Sequence, residues 1–224
     1  MHVAVIARTV VDFSAMQDAG YRLRDIGGEG TSADELAEFA GRACYQSWER
    51  PNPATATNAG YLENIIRQHH FSVLEHASAT FYISDVSRSL THELIRHRHL
   101  SFSQLSQRYV DAEHMSFVVP PAMDDAEDFA ELADVFADAV ETYRDIVEYL
   151  ETERGLGRKQ AREAARAVLP NMTSTSLVVT GNMRAWREVV EKRNSAAADA
   201  EIRQLAAELL AHLKVIAPHT FQDM

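Results

Sequence analysis

Between residues 125 and 153, apolar residues recur every three or four positions, and acidic residues are frequent among the rest. An α-helix completes a turn about every 3.6 residues, so this spacing places the apolar side chains on one face. The pattern predicts one long helix from about residue 125 to residue 153, with one buried stripe and a solvated acidic face. We interpret this stripe as part of the hydrophobic core, with no catalytic or binding role. It consists of Phe129, Leu132, Phe136, Val140, Tyr143, Val147 and Leu150.

The other segments alternate between strand and helix patterns. Strands are predicted over residues 3–8, 77–83 and 176–180, the first of them buried. Helices are predicted over 33–43, 61–69, 184–192 and 196–213. Another helix is predicted to begin at a cap, Asp85 or Ser87, and to end at Arg96. A further helix is predicted to follow Gly157 and to end at Leu169. Breaks are predicted at Gly27, Gly28, Gly30, Pro51 and Pro53. Residues 1–224 are therefore predicted to form a single domain of the α/β class (α+β type), with a small central, mostly antiparallel sheet and long flanking helices.

The composition limits the kinds of partner. The chain has 22 Lys and Arg against 33 Asp and Glu, a net charge of −11, which argues against a nucleic-acid partner because such proteins need broad basic surface. Cys44 is the single cysteine, so no internal disulfide can form, as is usual in a reducing cytosol. The N-terminus lacks signal-peptide character and no apolar stretch could span a bilayer, so we expect a cytoplasmic protein without a membrane partner.

Positive charge is concentrated between residues 86 and 110. The segment has three histidines, one acid, Glu93, and four arginines: Arg88, Arg96, Arg98 and Arg108. The planar guanidinium matches phosphate and carboxylate oxygens in pairs, so the cluster indicates a pocket for a small anion such as a phosphate dianion. The alternative is a surface helix that ends in cations, which the helix dipole favours. That alternative leaves the serines, Gln104 and Arg108 unexplained.

Metal, cysteine and dinucleotide chemistry fit the sequence less well. His92 and Glu93 begin an H-E-x-x-H pattern, but position 96 is arginine and His97 is rotated from His92 by about 500° of helix, so no metal site is expected. Cys44 lies in an apolar context without an adjacent base, which favours a structural role. No glycine-rich dinucleotide fingerprint or P-loop is present, so a nucleotide cofactor would need another kind of site.

Three further arginines, Arg158, Arg162 and Arg166, share one helix face because they are four residues apart. The first two are predicted to face solvent. Arg166 lies among apolar residues and is predicted to point inward toward a partner. Arg193 ends its helix, and each of these arginines alone also fits a surface salt bridge.

Taken together, these segments resemble the flavin-dependent thymidylate synthases. The family signature is Arg-His-Arg, then seven residues, then Ser, and it is matched by residues 96–98 and Ser106, with Gln104 and Arg108 also in place. The resemblance spans most of the chain, although the first 40 residues match least. Its supporting matches are 42–45, 70–76, 87–88, 165–170, Asn182, Arg184, Arg193 and 201–202.

This resemblance implies a homotetramer of α/β subunits with active sites built between subunits, bound FAD, and dUMP, methylenetetrahydrofolate and NADPH as substrates. Arg193 is implied to be catalytic, since its charge favours ionisation of uracil N3 and sends electron density to C5, the carbon to be methylated. The residues implied to contact FAD are Ser72, Arg96, His97, Arg98, Gln104, Asn182, Arg184 and Glu188. Those implied to bind dUMP are Glu93, Leu94, Ile95, Arg96, Gln104, Leu105, Ser106, Gln107, Arg108, Arg166 and Arg193.

Two positions depart from the family pattern. Relatives often carry His four residues after the arginine matched by Arg193, where this chain has Ala197, and they often carry Asn or His where it has Glu188. Ser106 is predicted to bind rather than attack, because no base is placed by the sequence to activate it. The chain is therefore predicted to convert dUMP to dTMP. The alternative is a nucleotide-binding or nucleotide-sensing protein in which Ala197 and Glu188 mark lost chemistry.

Overall fold

A computed structural model describes residues 1–21, 30–49, 52–123 and 126–224. Its centre is a four-stranded sheet in the order β1-β2-β4-β3, in which every neighbouring pair is antiparallel. The strands are β1 (His2–Arg8), β2 (Ser78–Ser87), β3 (Leu100–Gln104) and β4 (Ser174–Asn182). The predicted fold class, a small antiparallel sheet with flanking helices, is confirmed.

The helices account for much of the remaining described chain. Short 3₁₀ turns at Phe71–Glu75 and Arg166–Val168 precede β2 and follow α6. No helix within the described ranges is long and apolar enough to cross a membrane. The α-helices are α1 (Phe13–Asp18), α2 (Ser32–Tyr45), α3 (Asn58–Arg67), α4 (Arg88–Leu94), α5 (Ala126–Thr152), α6 (Arg158–Ala165), α7 (Met183–Arg193) and α8 (Ala200–Ile216).

One face of the sheet carries the main core. Side chains alternate along a strand, and in β4 every second residue is buried. Trp186 of α7 is fully buried, packs edge-on against Phe81 with ring centroids 5.0 Å apart, and donates its indole N–H to the Ala79 carbonyl (3.1 Å). Gly181 permits close packing of β3, because a Cβ there would lie 2.4 Å from Leu100 Cδ2. The core therefore fixes β3 and α7 on the same sheet, and both adjoin predicted site residues.

The long helix predicted from the apolar repeat is α5, but its stripe is only partly buried. Phe136 and Tyr143 are buried, whereas Phe129 is 54 % exposed, so the prediction of a fully buried stripe is wrong for this chain. Tyr143 packs with Ala112 and Ala165 in a small cluster of its own. The helix packs on α6 rather than on the sheet.

Several local predictions also differ from the structure. β1 pairs with β2 on one side only, so it is an edge strand with Ile6 exposed, not a buried strand. β3 is not predicted, because only two of its five residues are apolar and its other positions are Ser and Gln. The helix predicted to reach Leu169 ends at Ala165 and tightens into a 3₁₀ turn. The predictions at Gly27, Gly28, Pro51 and residue 125 lie outside the described residues.

Candidate active site

The start of α4 is held from two sides. Ser87, one of the two predicted caps, is its N-cap, and its Oγ accepts a hydrogen bond from the Leu90 N–H (3.0 Å). Glu201 at the start of α8 accepts hydrogen bonds from the Ser87 N–H (2.8 Å) and hydroxyl (2.5 Å). A carboxylate from the last helix therefore fixes the element that leads into the signature.

The signature is divided by β3. Residues 96–98 precede the strand, and Ser106 and Arg108 follow it. A strand of five residues spans about 17 Å, so the two parts of the signature lie at opposite ends of β3. We call them the Arg193 half-site (Glu93, Arg96, His97 and Arg193) and the Arg166 half-site (Arg88, Ser106, Arg108 and Arg166).

In the Arg193 half-site, the guanidinium of Arg193 is bound by protein groups on three sides. Its Nε–H donates to His97 Nε2 (3.0 Å), one terminal N–H donates to Glu93 Oε2 (2.5 Å), and another donates to the Glu93 carbonyl (3.0 Å). Arg193 ends α7 and Glu93 lies near the end of α4, so the contact joins the ends of two helices. Its side chain keeps part of its surface exposed and can meet a ligand.

Burial shifts the pKa values of two side chains in this half-site, His97 and Glu93. His97 is only 7 % exposed, and burial, followed by the neighbouring Arg193 charge, lowers the pKa of its imidazole. Burial and the adjacent Asp199 carboxyl raise the pKa of Glu93, while Arg193 and Arg96 oppose that shift. The Arg96 side chain is exposed and makes no hydrogen bond to any described residue, so its charge is available to a ligand.

A cavity of about 250 Å³ lies beside this half-site and is lined by Glu75, His99, Asn182, Arg184, Ala185 and Glu188. Asn182 caps α7 by accepting from the Ala185 N–H (2.8 Å), which fixes one wall. Arg184 forms an ion pair with Glu75, and Glu188 pairs with Lys192 (2.5 Å). The hydrogen bond from Lys192 holds the pKa of Glu188 below its usual value, so this side of the cavity carries a negatively charged carboxylate. The family resemblance assigns Asn182, Arg184 and Glu188 to FAD, whereas it gives no such role to His99 or Glu75.

The Arg166 half-site contains three arginines, Arg88, Arg108 and Arg166. Burial is the main cause of the lowered pKa of Arg88, and the positive charge of Arg166 lowers it further. Arg88 donates to the Leu105 carbonyl (3.4 Å), and Arg108 pairs loosely with Glu163 (3.3 Å) in an exposed position. Arg166 is exposed and bonds to no described side chain, so the prediction that it points inward is wrong for a single chain.

Gln104, at the end of β3, is oriented by two threonines that sequence reasoning misses. Its Nε2 donates to Thr91 Oγ1 (3.1 Å) and approaches Thr175 Oγ1 (3.5 Å). Thr91 Oγ1 itself donates to the Arg88 carbonyl (2.8 Å) and must therefore accept from Gln104. This leaves Gln104 Oε1 as an acceptor for a ligand. Single threonines of this kind carry no signal in a sequence, because their role depends on contacts across the sheet.

The remaining predicted residues differ in how far they can reach a ligand. Leu94 is fully buried, so its side chain belongs to the core, and Gln107 is buried as well. Ile95 is 50 % exposed beside Arg96. Ser72 is exposed in the 3₁₀ turn before β2. Ser106 accepts from the Arg108 N–H (3.4 Å), and no described base lies within hydrogen-bond distance of its hydroxyl.

Two side-chain predictions outside the half-sites are corrected. Cys44 is exposed, so the packing role expected from its apolar sequence context is wrong. Arg162 is not a solvent-facing residue, because its side chain is only 13 % exposed and donates to Asp111 (2.5 Å) and to the Tyr109 carbonyl (2.7 Å). It therefore fixes the loop that follows Arg108. Within the described ranges, no three His, Cys, Asp or Glu side chains are grouped to hold a metal ion.

Known proteins with similar sequences identify the family of this chain. The sequence profile of the thymidylate synthase complementing protein family matches residues 29–219, which include both half-sites. The flavin-dependent thymidylate synthase of Mycobacterium tuberculosis is 54 % identical over 230 aligned residues, which cover 100 % of this chain and 89 % of that protein. The enzyme of the same description from Mycobacterium avium is 53 % identical with the same coverage. The chain belongs to the flavin-dependent thymidylate synthase family.

Proposed function

We propose that this protein converts dUMP to dTMP as a flavin-dependent thymidylate synthase. FAD is the cofactor, NADPH reduces it, and methylenetetrahydrofolate supplies the carbon. The observation that carries the proposal is the Arg193 half-site, a guanidinium fixed by Glu93 and His97 beside the cavity of Asn182 and Arg184, in a chain 54 % identical to a family member.

Arg193 acts on the pyrimidine ring in this proposal. A cation within about 4–6 Å of an ionisable group favours its charged form, so Arg193 beside uracil stabilises the N3 anion. That charge increases electron density at C5, where the new bond forms. Because Glu93 and His97 already hold the guanidinium, little reorganisation is needed when the charge develops.

The Arg166 half-site binds the phosphate of dUMP. Besides burial, the charge of Arg166 lowers the pKa of Arg88, so a phosphate dianion bound by both cations offsets their mutual repulsion. Arg108 completes the set once its loose contact with Glu163 is exchanged for the phosphate. Ser106 contributes a hydroxyl to binding and is not a nucleophile, since no described base activates it.

The residues around the cavity suit a flavin nucleotide. Arg98 is exposed on the segment before β3, and Arg184 lines the cavity, so guanidinium donors can bind a diphosphate once Arg184 exchanges its ion pair with Glu75. When bound, FAD supplies the hydride that completes the methyl group. The residues proposed to hold it are Ser72, Arg96, His97, Arg98, Gln104, Asn182, Arg184 and Glu188.

The two half-sites are proposed to meet between subunits of a homotetramer. They lie at opposite ends of β3, and arginines of both halves are exposed without a described partner. Ile95 and Tyr109, which flank the two halves, are 50 % and 61 % exposed, and apolar surface of this kind beside a binding site is typical of an interface. We therefore place the Arg193 half-site of one subunit against the Arg166 half-site of another.

The substrates and the unpaired Cys44 suit the cytoplasm, where we propose that the enzyme works.

The activity is tested by anaerobic titration of the purified protein with FAD, followed by NADPH. We expect saturable binding with a perturbed flavin spectrum, bleaching by NADPH, and dTMP formation after addition of dUMP and methylenetetrahydrofolate. Binding of dUMP without any FAD binding or turnover would instead support the nucleotide-sensing alternative.

The shared site is tested by mixing subunits. Arg193→Ala and Arg166→Ala damage different half-sites, so their hetero-oligomers are isolated after co-expression and assayed at dUMP concentrations far below the Kd of the Arg166→Ala variant. Under these conditions either variant alone should be nearly inactive, and the hetero-oligomers should regain activity at about a quarter of their sites. A mixture of Arg108→Ala and Arg166→Ala subunits, both altered in the same half-site, is the control and should regain none. Equal activity of the two mixtures would place each site within one chain.

A further inference from the structure

The guanidinium of Arg193 dictates the protonation of His97. A guanidinium carries only N–H groups and has no acceptor. Its Nε–H points at His97 Nε2 across 3.0 Å, so that nitrogen must offer a lone pair. The imidazole proton is therefore on Nδ1, and His97 is neutral.

We propose that His97 is a positioning residue for Arg193, which it holds as the neutral Nδ1–H tautomer. This inference rests on the proposed placement of Arg193 at uracil. Glu93 holds the two terminal nitrogens through its carboxylate and its carbonyl, and His97 holds the third nitrogen. With all three nitrogens fixed, the plane of the guanidinium cannot rotate about its long axis. His97 thus acts on the reaction through Arg193, in addition to the flavin contact assigned to it.

The tautomer also determines what His97 can offer to a ligand. Its Nε2 is occupied by Arg193, and its Nδ1 makes no hydrogen bond to a described residue. The free nitrogen is a donor, so a ligand atom that faces it must be an acceptor. A ligand donor at this point would force the other tautomer and displace the guanidinium.

The surroundings keep His97 neutral. The charged groups near it are Arg193, Lys192 and Glu188 on α7, with Glu93 of α4 bound to the same guanidinium and His99 on its own segment. Burial is the largest cause of the lowered pKa, Arg193 and Lys192 act in the same direction, and Glu188 opposes them. The neutral form therefore persists below the ordinary value of 6.5, and the contact with Arg193 is lost as the pH falls through the lowered pKa of His97.

The first experiment reads the tautomer in the full chain without FAD or dUMP. In ¹⁵N-histidine-labelled protein at pH 7.5, His97 should show a protonated Nδ1 and an unprotonated Nε2, and Arg193→Ala should weaken this preference. Exposed His92, which makes no side-chain hydrogen bond or ion pair with a described residue, serves as the control and should not change. A protonated Nε2 on His97 in the unaltered protein would overturn the proposal. Because no turnover is measured, this result is independent of whether the enzyme makes dTMP.

The second experiment measures coupling between the two residues in the FAD-loaded enzyme. His97→Gln keeps an acceptor near the position of Nε2 and should retain most of kcat, whereas His97→Leu removes the acceptor and should lower kcat by about tenfold. In the Arg193→Ala background, His97→Leu should cause little further loss, because its effect is transmitted through the arginine. FAD content is measured for each variant. Equal losses from His97→Leu in both backgrounds would show that His97 acts on flavin or folding alone.

Discussion

Arg193 and Arg166, one arginine from each half-site, are held in different ways. Arg193 donates three hydrogen bonds to Glu93 and His97, whereas the exposed Arg166 side chain bonds to no described residue. A fixed guanidinium can stabilise charge that develops during the reaction, since its orientation is already set. An unpaired arginine instead attracts charge that is present before the reaction begins. This difference fits the proposed roles, in which Arg193 acts on the reacting ring and Arg166 binds the phosphate.

Removing each arginine should separate the two roles, and this gives the largest effect. Arg193→Ala should lower kcat by roughly 10²–10³-fold with a smaller change in dUMP affinity, because its interaction strengthens as charge develops. Arg166→Ala should mainly weaken dUMP binding, by about 10–100-fold, because the phosphate charge is constant along the reaction. The measurement is kcat and dUMP Kd for both variants, with FAD content checked. Purely affinity-based losses at both positions would erase the distinction between the half-sites.

A smaller effect should come from Thr91 of α4, which orients Gln104. Thr91→Val keeps the shape but removes the acceptor for Gln104 Nε2, so we expect dUMP affinity to fall by about 3–10-fold with kcat less affected. Thr91→Ser restores the hydroxyl and should recover the affinity. If the serine variant binds dUMP as weakly as the valine variant, methyl packing and not the hydroxyl orients this site.

The smallest effect is expected at Cys44, which lies outside both half-sites and is exposed. Cys44→Ser should change the free energy of unfolding by less than about 0.5 kcal/mol, the usual range for exposed positions, and should retain dTMP synthesis. Thermal or denaturant unfolding and a turnover assay test this. A loss of turnover by several orders of magnitude in a folded, FAD-loaded variant would mean that a thiol takes part in the reaction.

Local sequence patterns predict the regular elements of this fold well and its edges poorly. The repeat between Phe129 and Leu150 predicts α5, and Ser87 predicts the cap of α4, because both signals depend on residues within a few turns. β3 escapes detection because a short strand of mixed Ser, Phe and Gln has little pattern of its own. The exposure of Phe129 and Ile6 also could not be predicted, since it depends on which elements lie next to them.

The sequence alone determines the chemistry that the protein holds: the arginines, the histidines and the spacing of the signature, because these are properties of residue identity and order. The tertiary structure decides how these residues are used. It joins Arg193 to His97 and Glu93 across nearly a hundred residues, divides the signature at β3, and leaves Arg166 exposed. A hydrogen bond depends on distance and direction between groups that are remote in the chain, so only the folded arrangement separates the fixed arginine from the free one.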